Sequence, residues 1–230
     1  MNTVRLLDGS VPAIYFVDLD GTLLSTSSEK VFLKHLVRNG ILSPQAFLGF
    51  LLRYFLHPLR TVREGKGWNR SYLRGIPPEE VRREAVICAN SLRNSRIRDW
   101  TLQSIRELSK SGCRIVLLSA SLEYIVTAIA KIIPVDEIVA STPEIVENRF
   151  TGDLRKTRPW GRNKIELAMN ICERCNTEPA RCAAAGDSWA DRFIMKESGC
   201  SIAVCPDRRL KKLAMQKNWR IVKGRHTKWA

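Results

Sequence analysis

Val11-Pro-Ala-Ile-Tyr-Phe-Val17 runs straight into Asp18-Leu-Asp-Gly-Thr22. The first stretch is apolar, of strand length, and bounded by turn residues. Such a run reads as a strand buried on both faces, as in a parallel sheet. The second stretch sets two carboxylates, a glycine and a hydroxyl at the carboxyl end of that strand. Asp-Gly is also a hairpin signal. Here Thr22-Leu-Leu24 leads on into helical sequence and not into a partner strand, so the hairpin reading is set aside.

Working outward, residues 25–105 read as helical throughout. Apolar residues recur at three-to-four spacing over 29–38 and 45–56. Pro77-Pro78-Glu79-Glu80 opens another helix with proline and acids in its first turn. A further amphipathic helix covers 99–110 and stops near Gly112. From Cys113 the texture changes. Strands are expected at 114–118, 137–140, 182–185, 200–205 and 219–222. They alternate with helices ending near 131 and covering 162–175, 191–197 and 207–217, and a hairpin is expected within 142–153. Strand–helix alternation argues for an α/β fold with a doubly wound parallel sheet. The first strand joins that sheet, so the helical block becomes an insertion. The expected division is a core of 1–24 plus 106–230, with 25–105 inserted.

Composition narrows the class. The chain has 230 residues, 44% hydrophobic and 27% charged, which excludes wholesale disorder, collagen and coiled coil. The net charge is +15, a balance that attracts anions: nucleic acid, acidic headgroups or phosphorylated small molecules. Seven scattered cysteines and no basic-then-apolar segment in the first ten residues point to free thiols in a reducing cytoplasm. No stretch reaches the ~18 apolar residues of a membrane span. Residues 40–52 come nearest and end at Arg53.

Ligands of open α/β sheets bind at the carboxyl ends of strands. Three expected strands end in polar residues there: Asp18 and Asp20, then Ser119, then Asp187 with Asp191 one turn later. Lys164 sits near the start of the helix before the third of these. Clustered carboxylates repel unless a cation holds them. Oxygen ligands in this number suit Mg2+ with substrate phosphate, and a lysine and a hydroxyl suit the remaining phosphate oxygens. These are the parts of a phosphoryl-transfer site, in which a carboxylate can also act as nucleophile.

Asp18-Leu-Asp20-Gly21-Thr22, Ser119, Lys164 and Gly186-Asp187-Ser-Trp-Ala-Asp191 resemble the four ordered motifs of the haloacid-dehalogenase-like (HAD) hydrolases. Phe150-Thr-Gly-Asp153 and Val204-Cys-Pro-Asp-Arg-Arg-Leu210 are similar to the phosphoserine-phosphatase-like branch. The resemblance implies a Rossmann-like core with a helical cap made by the insertion. It implies Asp18 as nucleophile, and Asp20 as acid toward the leaving group and then base toward water. It implies Mg2+ held by Asp18, the backbone carbonyl of Asp20, Asp187 and Asp191, the last as ligand or outer partner. Gly21, Thr22, Ser119, Ala120 and Lys164 would bind substrate phosphate. Two carboxyls sharing one site must then differ in proton affinity. The implied activity is a Mg2+-dependent phosphomonoester hydrolase acting on a small phosphorylated metabolite through an aspartyl-phosphate.

The substrate is less legible. Phosphoserine phosphatases carry asparagine just before the last motif aspartate, where this chain has Ala190, which disfavours phosphoserine. A cap glutamate and arginine usually grip the amino acid there, and the sequence alone assigns neither. The insertion holds 14 basic and 6 acidic residues, a net of +8. Arg53, Arg60, Arg63, Lys66, Arg70 and Arg74 stand beside the apolar run 46–56. In the preferred reading Phe47, Leu51, Tyr54 and Phe55 pack inside the cap and the arginines are solvated. In the alternative, the segment lies on an anionic membrane surface, peripheral to the inner membrane, and the substrate is a lipid phosphate of the phosphatidylglycerophosphate kind. The basic stretch 208–228, which includes Trp219, with Trp229 just beyond, would suit a non-catalytic nucleic-acid binder. The retained acidic motif residues disfavour that class. Cys172, Cys175 and Cys182 lack a fourth zinc ligand, and His35, His57 and His226 are isolated.

Overall fold

The computed structural model describes residues 4–64, 66–156 and 158–223. His226 and Trp229 lie outside them. Eight strands and nine α-helices are found among the described residues. β1 (Ile14–Val17) is followed by α1 (Ser28–Arg38), α2 (Pro44–Leu56), α3 (Pro58–Glu64), α4 (Pro78–Arg96) and α5 (Asp99–Lys110). Then come β2 (Arg114–Leu122), α6 (Glu123–Ala130), β3 (Glu137–Ser141), β4 (Pro143–Val146) and β5 (Arg149–Leu154). The chain continues through α7 (Arg162–Arg174), β6 (Ala183–Gly186), α8 (Arg192–Glu197), β7 (Cys200–Val204), α9 (Arg208–Gln216) and β8 (Arg220–Val222).

Six strands form one parallel sheet in the order β3-β2-β1-β6-β7-β8. β4 and β5 form the expected hairpin, turning at Glu147-Asn148 with both φ positive. β1 shows why its apolar run has no polar alternation. Ile14 and Phe16 enter one core cluster with α7, α8 and α9, while Tyr15 and Val17 enter the other with α4, α5 and α6. A strand covered by helices on both faces must be apolar on both. β1 lies between β2 and β6: the chain builds β2 and β3 on one side of it and then crosses back to build β6, β7 and β8 on the other. That is the switch point where an open α/β sheet binds ligands.

The insertion is closed at its base. Leu24 bridges Ile97, the Ser25 amide donates to the Arg96 carbonyl, and the Arg98 amide donates to the Leu23 carbonyl. Entry and exit are thus tied beside the Asp18–Thr22 loop. α5 spans residue 105, the expected boundary, and buries Leu102, Ile105 and Leu108 in the core cluster. α3 falls within the block 25–105 expected to be helical, between the stretches 45–56 and 77 onward for which the spacing gave bounds.

The cap is only partly the inward-packed unit expected. Phe50 is buried, and Phe47 and Tyr54 pack against the core, but Leu51 and Phe55 are exposed. They lie on the side of α2 that no described element covers. All seven cysteines are free. Cys172 and Cys182 pair as buried thiols, Sγ to Sγ 3.6 Å, while Cys175 is exposed. No described helix is long and apolar enough to cross a membrane.

Candidate active site

The first acids sit where β1 ends. The Asp18 amide donates to the Ala185 carbonyl, which extends the ladder to β6 by one residue. The chain then turns at Gly21, whose φ is +86°. A side chain there would overlap the Asp187 carboxylate as well as strain the backbone. Glycine is therefore required for the two acidic loops to meet. Gly186 plays a similar part, since a methyl there would strike the Asp191 side chain.

Asp187 leaves β6, and its Oδ1 accepts from the Thr22 hydroxyl at 3.3 Å. Asp191 is fixed by its own turn: its Oδ2 accepts from the Ser188 amide at 3.0 Å and the Ser188 hydroxyl at 2.8 Å. Lys164, in the first turn of α7, reaches in from the side. Its Nζ lies 2.6 Å from Asp18 Oδ1 and 2.6 Å from Asp191 Oδ1. Carboxylate oxygens of Asp18, Asp187 and Asp191 all lie within 4.8 Å of one another.

Asp20 is held apart from this trio. Its Oδ1 accepts from the Ser28 amide at 2.9 Å, and its Oδ2 from the hydroxyls of Ser27 (3.1 Å) and Ser121 (2.8 Å). Ser121 reaches it because the pairing of β2 with β3 shifts register between Leu118 and Leu122. A bulge re-aims side chains, and this one turns Ser119 and Ser121 toward the site. The Ser119 hydroxyl accepts from the Ser121 amide at 3.2 Å.

These groups line a cavity of about 160 Å3 that includes Asp18, Asp20, Ser119, Ala120, Lys164, Asp187 and Asp191. Gly21 and Thr22 stand behind Asp187 and are not among its lining residues. A larger concavity of about 780 Å3 beside β3 and α7 shares no residue with it.

The electrostatics follow from like charges in a dry place. Burial pushes the Asp18 carboxyl up to about 7; Lys164 opposes the rise and Asp191 adds to it. Burial, then Asp18 and Asp191, push Asp187 up to about 8. Burial lowers the Lys164 pKa, but the two carboxylates it touches outweigh that and raise it. A metal-free cluster therefore carries more acid than one lysine can neutralise. An oxygen-only set of three converging carboxylates suits a hard divalent cation such as Mg2+.

Three side chains here, Ser27, Ser121 and Glu29, were not singled out by the sequence, and a fourth, Arg70, was expected to be solvated but is buried. Ser27 and Ser121 carry no motif. Glu29 and Arg70 form an ion pair within the cap, between α1 and the segment after α3, Oε1 to Nη1 2.8 Å and Oε2 to Nη2 2.9 Å. Arg70 is 1% exposed, and its Nη2 also donates to the Ala120 carbonyl of the cavity wall at 3.2 Å. The Tyr72 hydroxyl donates to Glu29. Burial raises the Glu29 pKa and Arg70 opposes it. A buried charge without a local pattern leaves no periodic trace; only the cap folding back over β2 brings Arg70 to Ala120.

The family model described as haloacid dehalogenase-like hydrolase matches residues 15–196. The chain belongs to that family. Phosphoserine phosphatase SerB1 of Mycobacterium tuberculosis is 26% identical over 216 residues, covering 91% of this chain and 70% of that protein. A Bordetella pertussis protein described as having unknown function superposes with a TM-score of 0.79 at 19% identity, covering 93% and 99% of the two chains. A phosphoserine phosphatase solved as a phospho-aspartyl intermediate analogue gives 0.63 at 17% identity, covering 94% of each. Such identities with solved structures show the fold. With the family match they fit the phosphoserine-phosphatase-like branch of the HAD hydrolases, an α/β sheet core with a cap.

Proposed function

We propose that this HAD hydrolase is a Mg2+-dependent phosphomonoesterase that works through an aspartyl-phosphate on Asp18. The observation that carries the proposal is the convergence of Asp18, Asp187 and Asp191 with buried Lys164 at the switch point. Asp18, Asp187 and Asp191, with the Asp20 carbonyl, would hold Mg2+. Bound there, the ion would offset the clustered negative charge and polarise a phosphate oxygen.

The Asp18 carboxylate attacks phosphorus in line with the leaving oxygen, forming the acyl-phosphate bond as the ester P–O bond breaks. Asp20 gives its proton to the departing alkoxide. It then takes a proton from the water that cleaves the acyl-phosphate, releasing phosphate and restoring Asp18. Lys164 keeps nucleophile and phosphate together. Ser119 and the backbone at Ala120 would accept the phosphate oxygens into the cavity, with Gly21 and Thr22 behind them. Preorganised charges of this kind supply most of the help in phosphoryl transfer.

The acid cluster gives the metal dependence a pH signature. Asp18 and Asp187 start from a reference of 3.8 and stand at about 7 and about 8 in the metal-free fold. The folded state binds more protons than the unfolded chain across that window. The stability these groups contribute is thus full below the reference value and lost as pH rises toward 8. A cation restores it by binding the ionised forms. Mg2+ should raise the thermal midpoint clearly at pH 8 and little at pH 5. An equal shift at both values would dissociate these acids from the metal.

Glu29 and Arg70 suggest the substrate. A buried pair of opposite charges beside the phosphate cavity matches a small ester bearing an ammonium and a carboxylate, as in a phosphorylated amino acid. Glu29→Gln and Arg70→Lys should each raise KM for phosphoserine by about tenfold, as expected for lost ground-state binding. Both should leave kcat for p-nitrophenyl phosphate within a few-fold. Parallel losses on both substrates would assign the pair a purely structural role. The second reading, a lipid phosphate, draws on the uncovered apolar side of α2; it would appear as preference for a lipid phosphomonoester over phosphoserine in the same assay.

A further inference from the structure

We propose that α2 and α3 form a docking surface for an anionic lipid bilayer, whatever the site hydrolyses. Leu48, Leu51, Leu52, Phe55 and Leu56 recur at helical spacing along one side of α2, and Leu59 and Val62 carry the stripe onto α3. Phe55 is 81% exposed, Leu56 73%, Leu59 85% and Val62 83%. Seven large apolar side chains on two consecutive helices make a contiguous patch, and such patches mark interaction sites.

α2 is not loosely attached. Phe50, on its other side, is buried and meets the rings of Tyr54 and Tyr72 edge-on, at 5.2 and 5.3 Å between centroids. Asn69 donates to the Phe50 carbonyl at 2.9 Å. Arg53 also turns inward, pairing with Asp153 at 2.8 Å and lying over Trp68. The helix is therefore anchored by one side and offers an uninterrupted apolar side to solvent.

Charge chooses the occupant. From Lys34 to Pro78 the sequence holds eight Lys or Arg and one acid, Glu64, and α2 itself has no acid; Arg53 and Arg70 are engaged by Asp153 and Glu29, and the remaining six keep the segment basic. An apolar stripe in a basic segment is the chemistry of a helix lying in a headgroup layer: side chains enter the acyl boundary and cations meet anionic lipid. At 13 residues α2 is about 20 Å long, too short to span a bilayer of ~30 Å. It lies on the surface and does not cross it. The link to the catalytic cavity is short, because Phe50 touches Tyr72 and the Tyr72 hydroxyl reaches Glu29.

The test is flotation of the full-length protein with vesicles of phosphatidylcholine alone or mixed with phosphatidylglycerol, at low and high salt. The companion protein is the variant Phe55→Ser, Leu56→Ser, Leu59→Ser, Val62→Ser. Expected are binding to the mixed vesicles, weakening in salt, and at least a roughly tenfold loss of bound fraction in the variant, as apolar transfer is removed. The variant should retain its melting profile and its rate on p-nitrophenyl phosphate. Three results would overturn the proposal: no binding of the wild type to mixed vesicles, binding that the variant retains, or a wild-type dimer that the variant dissociates without any vesicle binding. The last would assign the patch to a second copy of the chain.

Discussion

Asp18→Asn is expected to lower phosphomonoester turnover by at least ~10^4-fold while the fold survives, since loss of the proposed nucleophile would remove the proposed covalent route. The change is isosteric. The asparagine oxygen can still accept from Lys164, which lies 2.6 Å from Asp18 Oδ1, and Asp191 still pairs with the same lysine. The backbone bond from residue 18 to the Ala185 carbonyl is untouched. What is lost is a carboxylate able to attack phosphorus. Two measurements settle it: steady-state rate with Mg2+, and transfer of labelled phosphoryl group from substrate to protein. Wild type should label and the variant should not. A variant that hydrolyses at the wild-type rate would remove Asp18 from the nucleophile role. Asp20→Asn supplies the contrast, because that variant should still label from an aryl phosphate, whose leaving group needs no acid, and then hydrolyse slowly.

The second large effect is expected for Lys164→Met. Lys164 is the cation of the described set that touches both Asp18 and Asp191, and it is buried. Methionine keeps most of the volume and removes the charge. Turnover should fall by about 10^3-fold, the scale on which a preorganised electrostatic group acts. Stability should also fall, because breaking a buried pair leaves an uncompensated charge at a cost of about 3–5 kcal/mol. The loss should depend on pH. At pH 5 the acids of the metal-free site take up protons, since Asp18 and Asp187 stand at about 7 and about 8. Toward pH 8 the wild type sets the Lys164 charge, which lowers both pKa values, against the ionising acids, and the variant has no such charge. Melting in EDTA should therefore separate variant from wild type more at pH 8 than at pH 5. Equal destabilisation at both values would reduce Lys164 to a packing role.

The order of elements was legible where the signal is local. The apolar run before Asp18, the run before Ser119 and the Ala-rich run before Asp187 each became a strand of the central sheet. Helix starts were readable at Pro78 with Glu79 and Glu80, where a preset φ and first-turn acids favour initiation. The expected side-chain burial in α2 failed for Leu51 and Phe55, which are exposed. Composition there is apolar almost all round, so periodicity could not say which side faces the protein. α3 lies in the block expected to be helical, but its bounds were not legible because seven residues give too few turns to establish a period.

The sequence by itself determined the chemistry and its order along the chain: acids, hydroxyl, lysine and acids, each placed where an apolar run stops or a helix begins. Those features depend on neighbours a few bonds away, and backbone geometry converts them into strand ends and first turns. Only the tertiary structure decided that Ser27, Ser28 and Ser121 fix Asp20, that Arg70 meets Glu29 and Ala120, and that one side of α2 is left exposed among the described residues. These contacts join residues up to 101 positions apart. They follow from how helices and sheet pack to exclude water, a sum over the whole core that no single window of sequence contains.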